Sequence, residues 1–345
     1  MERSLALTAA GVLASAGALV AIATPATGAL GSAHPRGPVS HATGVDSRAE
    51  QNSVRAFWTK SRLRAATPRG QERPAAKPGG GGSPGTSSSG NLGTAWTSGR
   101  VTVGKVFFQM GSSLYVCSGN AVDDVDDGVT TPNLVVTAGH CVNDGGSAFA
   151  TNFMFIPRYD PAAPRTSGQP DGTFTASRLT TTSQWVAQGA DRYNYDVGMA
   201  RVGVNEHGET LAAAVGDTSD IGYVSGDPTS TGGVDYTVNA HSFGYPAARP
   251  YDGTRLISCW GGTTGDTVGG STDYRLPCNM TGGSSGGPWL FDSTSAVAPL
   301  TENADVGDVQ ISVNSFGYRG EKNAMYGPIF GTTIQSLYAT TAAGS

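Results

Sequence analysis

Charge is scarce in this chain. Lys, Arg, Asp and Glu make up 14% of its 345 residues, well below the ~25% of ordinary soluble proteins. With 50 Gly and 19 Pro as well, long charged helices, coiled coils and helical bundles are excluded, and short strands joined by many turns are favoured. A net charge of −5 leaves no basic patch of the kind that binds nucleic acid. The chain lacks Cys-x-x-Cys and paired histidines, so its four cysteines do not read as a zinc site. Asp123, Asp124, Asp126 and Asp127 are interrupted at Val125 and miss the EF-hand spacing, which leaves a solvated loop. The length exceeds one average domain and predicts two domains, or a double domain with extensions.

What is present divides into three stretches. Leu5–Ala23 is an apolar run behind Arg3, followed by small residues at Thr24-Pro25-Ala26 and Thr27-Gly28-Ala29 that suit a signal peptidase. Its Ala and Gly content is weakly hydrophobic, which favours a cleaved export signal over 1–29 rather than a membrane anchor. Between Arg36 and Lys77 nine basic residues stand against three acidic ones, an excess of six. Glu2 and Arg3 cancel, so residues 78–345 carry −11. A basic arm on an acidic body reads either as a pro-segment complementary to that body or as a solvated charged tail. Pro78 to Gly90 is a Gly/Ser-rich linker, so residues 30–90 form the pro-segment and linker.

From Asn91 onward short apolar runs alternate with turn residues. Strands are predicted at Val101–Met110, Ser113–Val122, Asn133–Thr137, Asn152–Ile156, Gly198–Val204, Tyr236–Ala240, Val309–Val313 and Met325–Phe330. Only Thr332–Thr340 has helical spacing, with Ile334, Leu337 and Tyr338 on one face. The expected class is all-β, sandwich or barrel. Cys117, Cys141, Cys259 and Cys278 all lie in this body and behind an export signal read as two disulfides, with three connectivities possible. Pairing of neighbours would close loops of about 24 and 19 residues, each contributing roughly 3 kcal/mol.

Thr281-Gly282-Gly283-Ser284-Ser285-Gly286-Gly287-Pro288-Trp289-Leu290 is the strongest local signal. Acyl transfer needs a hydroxyl on a tight turn with free backbone N–H groups beside it. Gly283-x-Ser285-x-Gly287 also fits a nucleophile elbow, but those enzymes place histidine after serine. All five histidines here (His34, His41, His140, His207, His241) precede Ser285. His140 ends the apolar run Leu134–Ala138 beside Cys141. Asp196 heads the apolar segment Val197–Val202, where a buried carboxylate would orient an imidazole. His241 reads as a packed or surface side chain.

The order His140, Asp196, Ser285, with Thr-Ala-Gly-His-Cys and Gly-x-Ser-Gly-Gly-Pro both present, resembles the chymotrypsin-like (trypsin-fold) serine peptidases over roughly residues 95–340. Gly244-Tyr245-Pro246 and Gly283-Ser284-Ser285-Gly286 are similar to the secreted bacterial branch that includes the glutamyl endopeptidases. The resemblance implies two antiparallel β-barrels, over 91–228 and 229–345, and a short C-terminal helix. It implies bridges Cys117–Cys141 and Cys259–Cys278, although Cys278 stands seven residues before Ser285 rather than the usual four. It further implies catalysis by Ser285, His140 and Asp196, an oxyanion hole at Gly283 and Ser285, and no metal or organic cofactor. Asn279 would lie at the base of the primary pocket, where an aspartate would select Lys or Arg. Ser315, Phe316 and Gly317 would wall the cleft and pair with the substrate backbone. No histidine stands at Asn314 or Ser315 to hold a glutamate. Ser284 carries no charge to capture a new amino terminus, so Arg100-Val101 is not an ion-pair activation site and the oxyanion hole forms by the domain's own packing. The expectation is a secreted, extracellular, monomeric endopeptidase made as a zymogen, acting on polypeptides, with no membrane association after signal cleavage. An inactive protease-like binding protein and an esterase using the same triad are the alternatives.

Overall fold

The computed structural model describes residues 37–75, 91–97, 102–123, 133–163, 168–216, 218–228, 238–291 and 309–343. The leader, the Asp124–Asp127 run, His34, most of the linker and Arg100-Val101 lie outside them.

Six strands form a closed barrel: Val103–Met110, Ser113–Val122, Leu134–Thr137, Thr151–Pro157, Phe174–Thr181 and Gly198–Val202. Each pairs antiparallel with its neighbours, and Thr151–Pro157 closes the ring on Phe174–Thr181. The inward faces alternate along the strands and meet as Val106, Phe108, Ala121, Val135, Phe155, Phe174, Leu179 and Ala200, the period-two burial that a β-barrel requires.

The second half holds two further sheets. One comprises Asn91–Ala95, Asp220–Ile221, Asn239–Gly244, Ile257–Gly262, Pro288–Phe291 and Val309–Val313. The other comprises Thr264–Gly265, Tyr274–Leu276, Phe316–Tyr318 and Met325–Gly327. Asn91–Ala95 pairs with Ile257–Gly262, and so joins the second half rather than the barrel it precedes. The helix Thr332–Ala343 buries Ile334, Leu337 and Tyr338, the face its spacing predicts, against Val122, Leu134, Val136 and Met199 of the barrel. Disulfides join Cys117 to Cys141 and Cys259 to Cys278.

Several expected boundaries move. Met325–Phe330 stops at Gly327, before Pro328, which has no N–H for a ladder. Of the strand expected at Tyr236–Ala240, Tyr236 and Thr237 lie outside the described residues, and the described strand runs over Asn239–Gly244. Phe174–Thr181 and Ile257–Gly262 escape the apolar-run criterion because Thr and Ser occupy buried strand positions. Thr181, for example, is buried with its hydroxyl donating to the Val197 carbonyl. The larger correction concerns the arm. Helical structure is not confined to the end of the chain: Arg48–Phe57 is a helix with a capping box between Ser47 and Glu50, a signal present in the sequence.

Nor is the arm a solvated tail. Val39–Ala42 adds to the barrel beside Phe174–Thr181. Trp58 is buried among Phe107, Met154 and Ile156 and donates its Nε1–H to the Asn152 carbonyl at 2.6 Å. Arg55, also buried, donates to the carbonyls of Thr173 and Val204 at 3.1 and 2.6 Å, with Glu206 at 3.8 Å.

Candidate active site

His140 lies in the single turn Gly139–Val142, which follows the strand Leu134–Thr137 and is pinned through Cys141 to Cys117 on the next strand. Asp196 sits between the turn Arg192–Tyr195 and the strand Gly198–Val202, whose Gly198 pairs with Thr137. Neighbouring strands therefore deliver the two side chains to one end of the barrel. Asp196 Oδ2 accepts from His140 Nδ1 at 2.8 Å and from the Ser315 hydroxyl at 2.6 Å, while its Oδ1 accepts the His140 backbone N–H at 2.8 Å. Both side chains are completely buried. Burial, the strongest influence on Asp196, would raise its pKa. The charge and hydrogen bond of His140, then the Ser315 hydroxyl and the His140 N–H, outweigh it, and the carboxyl titrates below its ordinary value. An ionised carboxylate only accepts, so Nδ1 carries a proton toward Asp196 and Nε2 is the ring nitrogen turned away from it. Nε2 has no hydrogen-bond partner among the described residues.

Ser285 stands on the glycine turn ahead of the strand Pro288–Phe291. Gly286 has φ +80°, and a Cβ there would strike Thr137 and Ala138, so the turn presses directly on the histidine strand. Ser118 clamps it from the barrel: its N–H donates to the Ser285 carbonyl at 2.8 Å and its hydroxyl to the Gly283 carbonyl at 2.9 Å. Asn314 braces the other side. Its Oδ1 accepts from Ser242 and Trp289, and its Nδ2 donates to the carbonyls of Phe243 and Ser284. The hydroxyl of Ser284 turns back to the Thr281 carbonyl at 2.9 Å. The turn is thus held by neutral hydrogen bonds, without an ion pair at Ser284.

A peptide carbonyl already lies in this turn. Arg69 O accepts the Gly283 N–H at 2.7 Å and the Ser285 hydroxyl at 3.2 Å. Its chain enters along the barrel, with Thr67–Pro68 parallel to Ser113–Val122, and leaves with Gln71–Arg73 parallel to Phe316–Tyr318. Gly70 passes the turn so closely that a Cβ would stand 3.0 Å from Gly282 Cα. The arm therefore fills the cleft, and the Ser285 proton points at a carbonyl rather than at His140.

Beside it is a cavity of about 320 Å³ lined by Asn279, Gly282, Ser285, Ser315, Phe316 and Gly317, among others. These expected substrate-binding residues share one pocket. Asn279 Oδ1 is committed to the Gly93 N–H at 3.0 Å and the Tyr251 hydroxyl at 2.7 Å, which leaves its amide nitrogen as the group for a ligand. His241 is away from this cleft, packed among Trp96, Phe243 and Trp260. Ser118, Asn314 and the Arg69-Gly70 crossing carry no motif and are visible only in the folded chain. Cys117, His140 and Cys141 cluster within 4.8 Å, but both sulfurs are spent in a disulfide and offer no thiolate to a metal.

Histidine and aspartate on one barrel with serine on the other is the division found in double-barrel serine peptidases. Solved structures bear on this directly. A protease named Anisep from Arthrobacter nicotinovorans is 38% identical, with TM-score 0.59 over 73% of this chain and 100% of that one. A thermostable serine protease, AL20, from an extremophilic microorganism is 34% identical, with TM-score 0.57 over 71% and 98%. A Glu endopeptidase shares the fold at 16% identity and TM-score 0.50, over 73% and 97%. No family model matches the chain, and no curated protein does. The chain belongs to the chymotrypsin-like serine peptidases, with a two-barrel fold and a serine-type endopeptidase class.

Proposed function

We propose that this chain is the latent precursor of a secreted, monomeric serine endopeptidase. Ser285 attacks a peptide carbonyl, and His140 Nε2 takes the hydroxyl proton and passes it to the leaving amine. Asp196 fixes the imidazole tautomer and stabilises the imidazolium. The N–H groups of Gly283 and Ser285 hold the oxyanion, a term worth roughly 3–4 kcal/mol per donor. Water then attacks the acyl-enzyme through the same base. The observation that carries this reading is the Arg69 carbonyl, bound by the Gly283 N–H and the Ser285 hydroxyl together. A site that seats a peptide carbonyl between nucleophile and hole is built for acyl transfer.

The same contact supports latency. Residues 37–75 act as an inhibitory pro-segment, because with Arg69 in place the Ser285 proton has no path to His140 and the hole is closed to substrate. Two disulfides fit an oxidising compartment, and among the described residues no helix is long and apolar enough to cross a membrane. The disulfides favour export behind the 1–29 signal.

The test is labelling of Ser285 by a serine-directed phosphonate before and after one cut in the 78–90 linker. Slow labelling that quickens after the cut, together with peptide hydrolysis, is the expected result. A chain that takes no label in either form is a binding protein, and one that cleaves only small esters is an esterase.

A further inference from the structure

Arg73 ends the segment that crosses the cleft, and its guanidinium lies over three rings. It stands 4.5 Å from the Tyr193 centroid, 4.8 Å from Phe316 and 5.4 Å from Tyr318. The rings belong to the body and are fixed there. Phe316 stacks on Tyr326 at 5.1 Å, Tyr318 meets Tyr326 edge-on at 4.9 Å, and Tyr193 meets Phe316 edge-on at 5.2 Å. The Tyr318 hydroxyl donates to Asp266 at 2.6 Å. Within electrostatic reach of the same guanidinium is Asp273, completely buried, with neither carboxylate oxygen hydrogen-bonded among the described residues.

Burial penalises the ionised form of this carboxylate, the Ser271 side chain and then Arg73 favour that form, and Asp266 and Asp196 oppose it. The buried Nη1 of Arg73 has no hydrogen-bond partner among the described residues. Ring faces and charge therefore hold the guanidinium, an arrangement that selects a planar cation over a neutral side chain or a compact ammonium.

We propose that Tyr193, Phe316, Tyr318 and Asp273 form a guanidinium site of the mature enzyme. Arg73 occupies it in the precursor, where the arm runs parallel to Phe316–Tyr318; an arginine of a polypeptide substrate that runs antiparallel to that strand, two to four residues before the scissile bond, occupies it after activation. The proposal rests on the peptidase reading for its substrate, but the cation site itself does not. It adjoins the Asn279 pocket, where the scissile residue binds, and shares Phe316 and Tyr318 with that cavity. Tyr193 precedes Asp196 by three residues and Phe316 follows Ser315, so the cage borders the cleft, and a substrate strand on Phe316–Gly317 passes it.

Two measurements test the proposal. In the full chain, Arg73→Ala empties the cage, and ethylguanidinium or its neutral isostere ethylurea is titrated while tyrosine ring resonances are followed by NMR. Ethylguanidinium should bind saturably and about tenfold more tightly than ethylurea. It should have no effect while Arg73 is in place, and binding should weaken about tenfold when Asp273→Asn or, should that variant fail to fold, Phe316→Leu is added. Equal responses to both compounds, or none to either, would overturn the site. For the substrate role, the Arg73→Ala chain is cut once in the linker and offered peptides with one arginine or citrulline at the second, third or fourth residue before the scissile bond. A kcat/KM about tenfold higher for arginine at one position, carried by KM, is expected, whereas equal rates at all three overturn the substrate role. Saturable ethylguanidinium binding without hydrolysis of any peptide supports the cation site and refutes the peptidase reading.

Discussion

Replacing Gly70 by valine should awaken the uncut precursor. The Cβ that valine adds would lie 3.0 Å from Gly282 Cα and 3.7 Å from its N, and both are backbone atoms of the turn that carries Ser285. Neither can rotate aside, and valine's two further methyl groups enlarge the few tenths of an ångström that the Cβ alone requires, so the Arg69-Gly70 crossing is expected to lift. The immediate loss is two hydrogen bonds at Arg69 O, from the Gly283 N–H and the Ser285 hydroxyl. At about 1 kcal/mol each, the closed cleft is weakened by roughly 2 kcal/mol, or about 30-fold in the open population. A serine-directed phosphonate reads this population, because it reaches Ser285 only in open molecules. The labelling rate of the uncut chain should therefore rise about 30-fold. Gly37→Val, where an added Cβ meets nothing within 4 Å, controls for a general effect of substituting the arm. Unchanged labelling in folded Gly70→Val protein would show that the Arg69 contact does not keep the enzyme silent.

In the cut enzyme, Ser285→Ala and His140→Ala should each lower kcat by about 10⁴-fold or more, Ser285→Ala with the melting temperature little changed and His140→Ala with a lower one because Asp196 loses its buried partner; a folded Ser285→Ala protein with near-normal turnover would refute the assignment. Ser315→Ala removes a donor to Asp196. Because the folded pKa of Asp196 is lowered, its stabilisation is complete above the ordinary value of 3.8 and is lost as pH falls through the lowered one. The variant's melting temperature should begin to fall at higher pH than the wild type's, and superimposable pH profiles would exclude the role. Asn314→Leu removes the partner of the Ser242 hydroxyl and the Trp289 N–H and one donor to each of the Phe243 and Ser284 carbonyls, so denaturant unfolding should show about 3 kcal/mol of destabilisation. A cleavage-site library should show no dominant Lys or Arg at the scissile residue, since Asn279 brings no charge to that pocket; strong basic preference there would refute this reading.

The chemistry of the site is local in sequence, and so it is legible there. A glycine turn, an apolar run ending in a histidine beside a cysteine, and an aspartate heading another run each mark a strand end. Their order along the chain excludes the nucleophile elbow without any coordinates. The helix face of Ile334, Leu337 and Tyr338 is legible for the same reason, because a 3.6-residue period is written in neighbours. The arm shows both sides of this limit. Its capping box at Ser47 and Glu50 is a local signal, and its charge excess fits a complementary pro-segment and a solvated tail alike, but neither says where it lies.

Primary structure alone determines that this is a charge-poor β protein with two disulfides and the residues of a serine peptidase in chymotrypsin-like order. Tertiary structure alone decides that the Arg69 carbonyl binds the glycine turn at Gly283 and Ser285, that Ser118 and Asn314 brace that turn, and that Arg73 meets Tyr193, Phe316 and Tyr318. Those partners are separated by up to 245 residues, from Arg73 to Tyr318. Contacts across such distances arise from strand pairing and barrel closure, which depend on the register of the whole fold rather than on any pattern between neighbours.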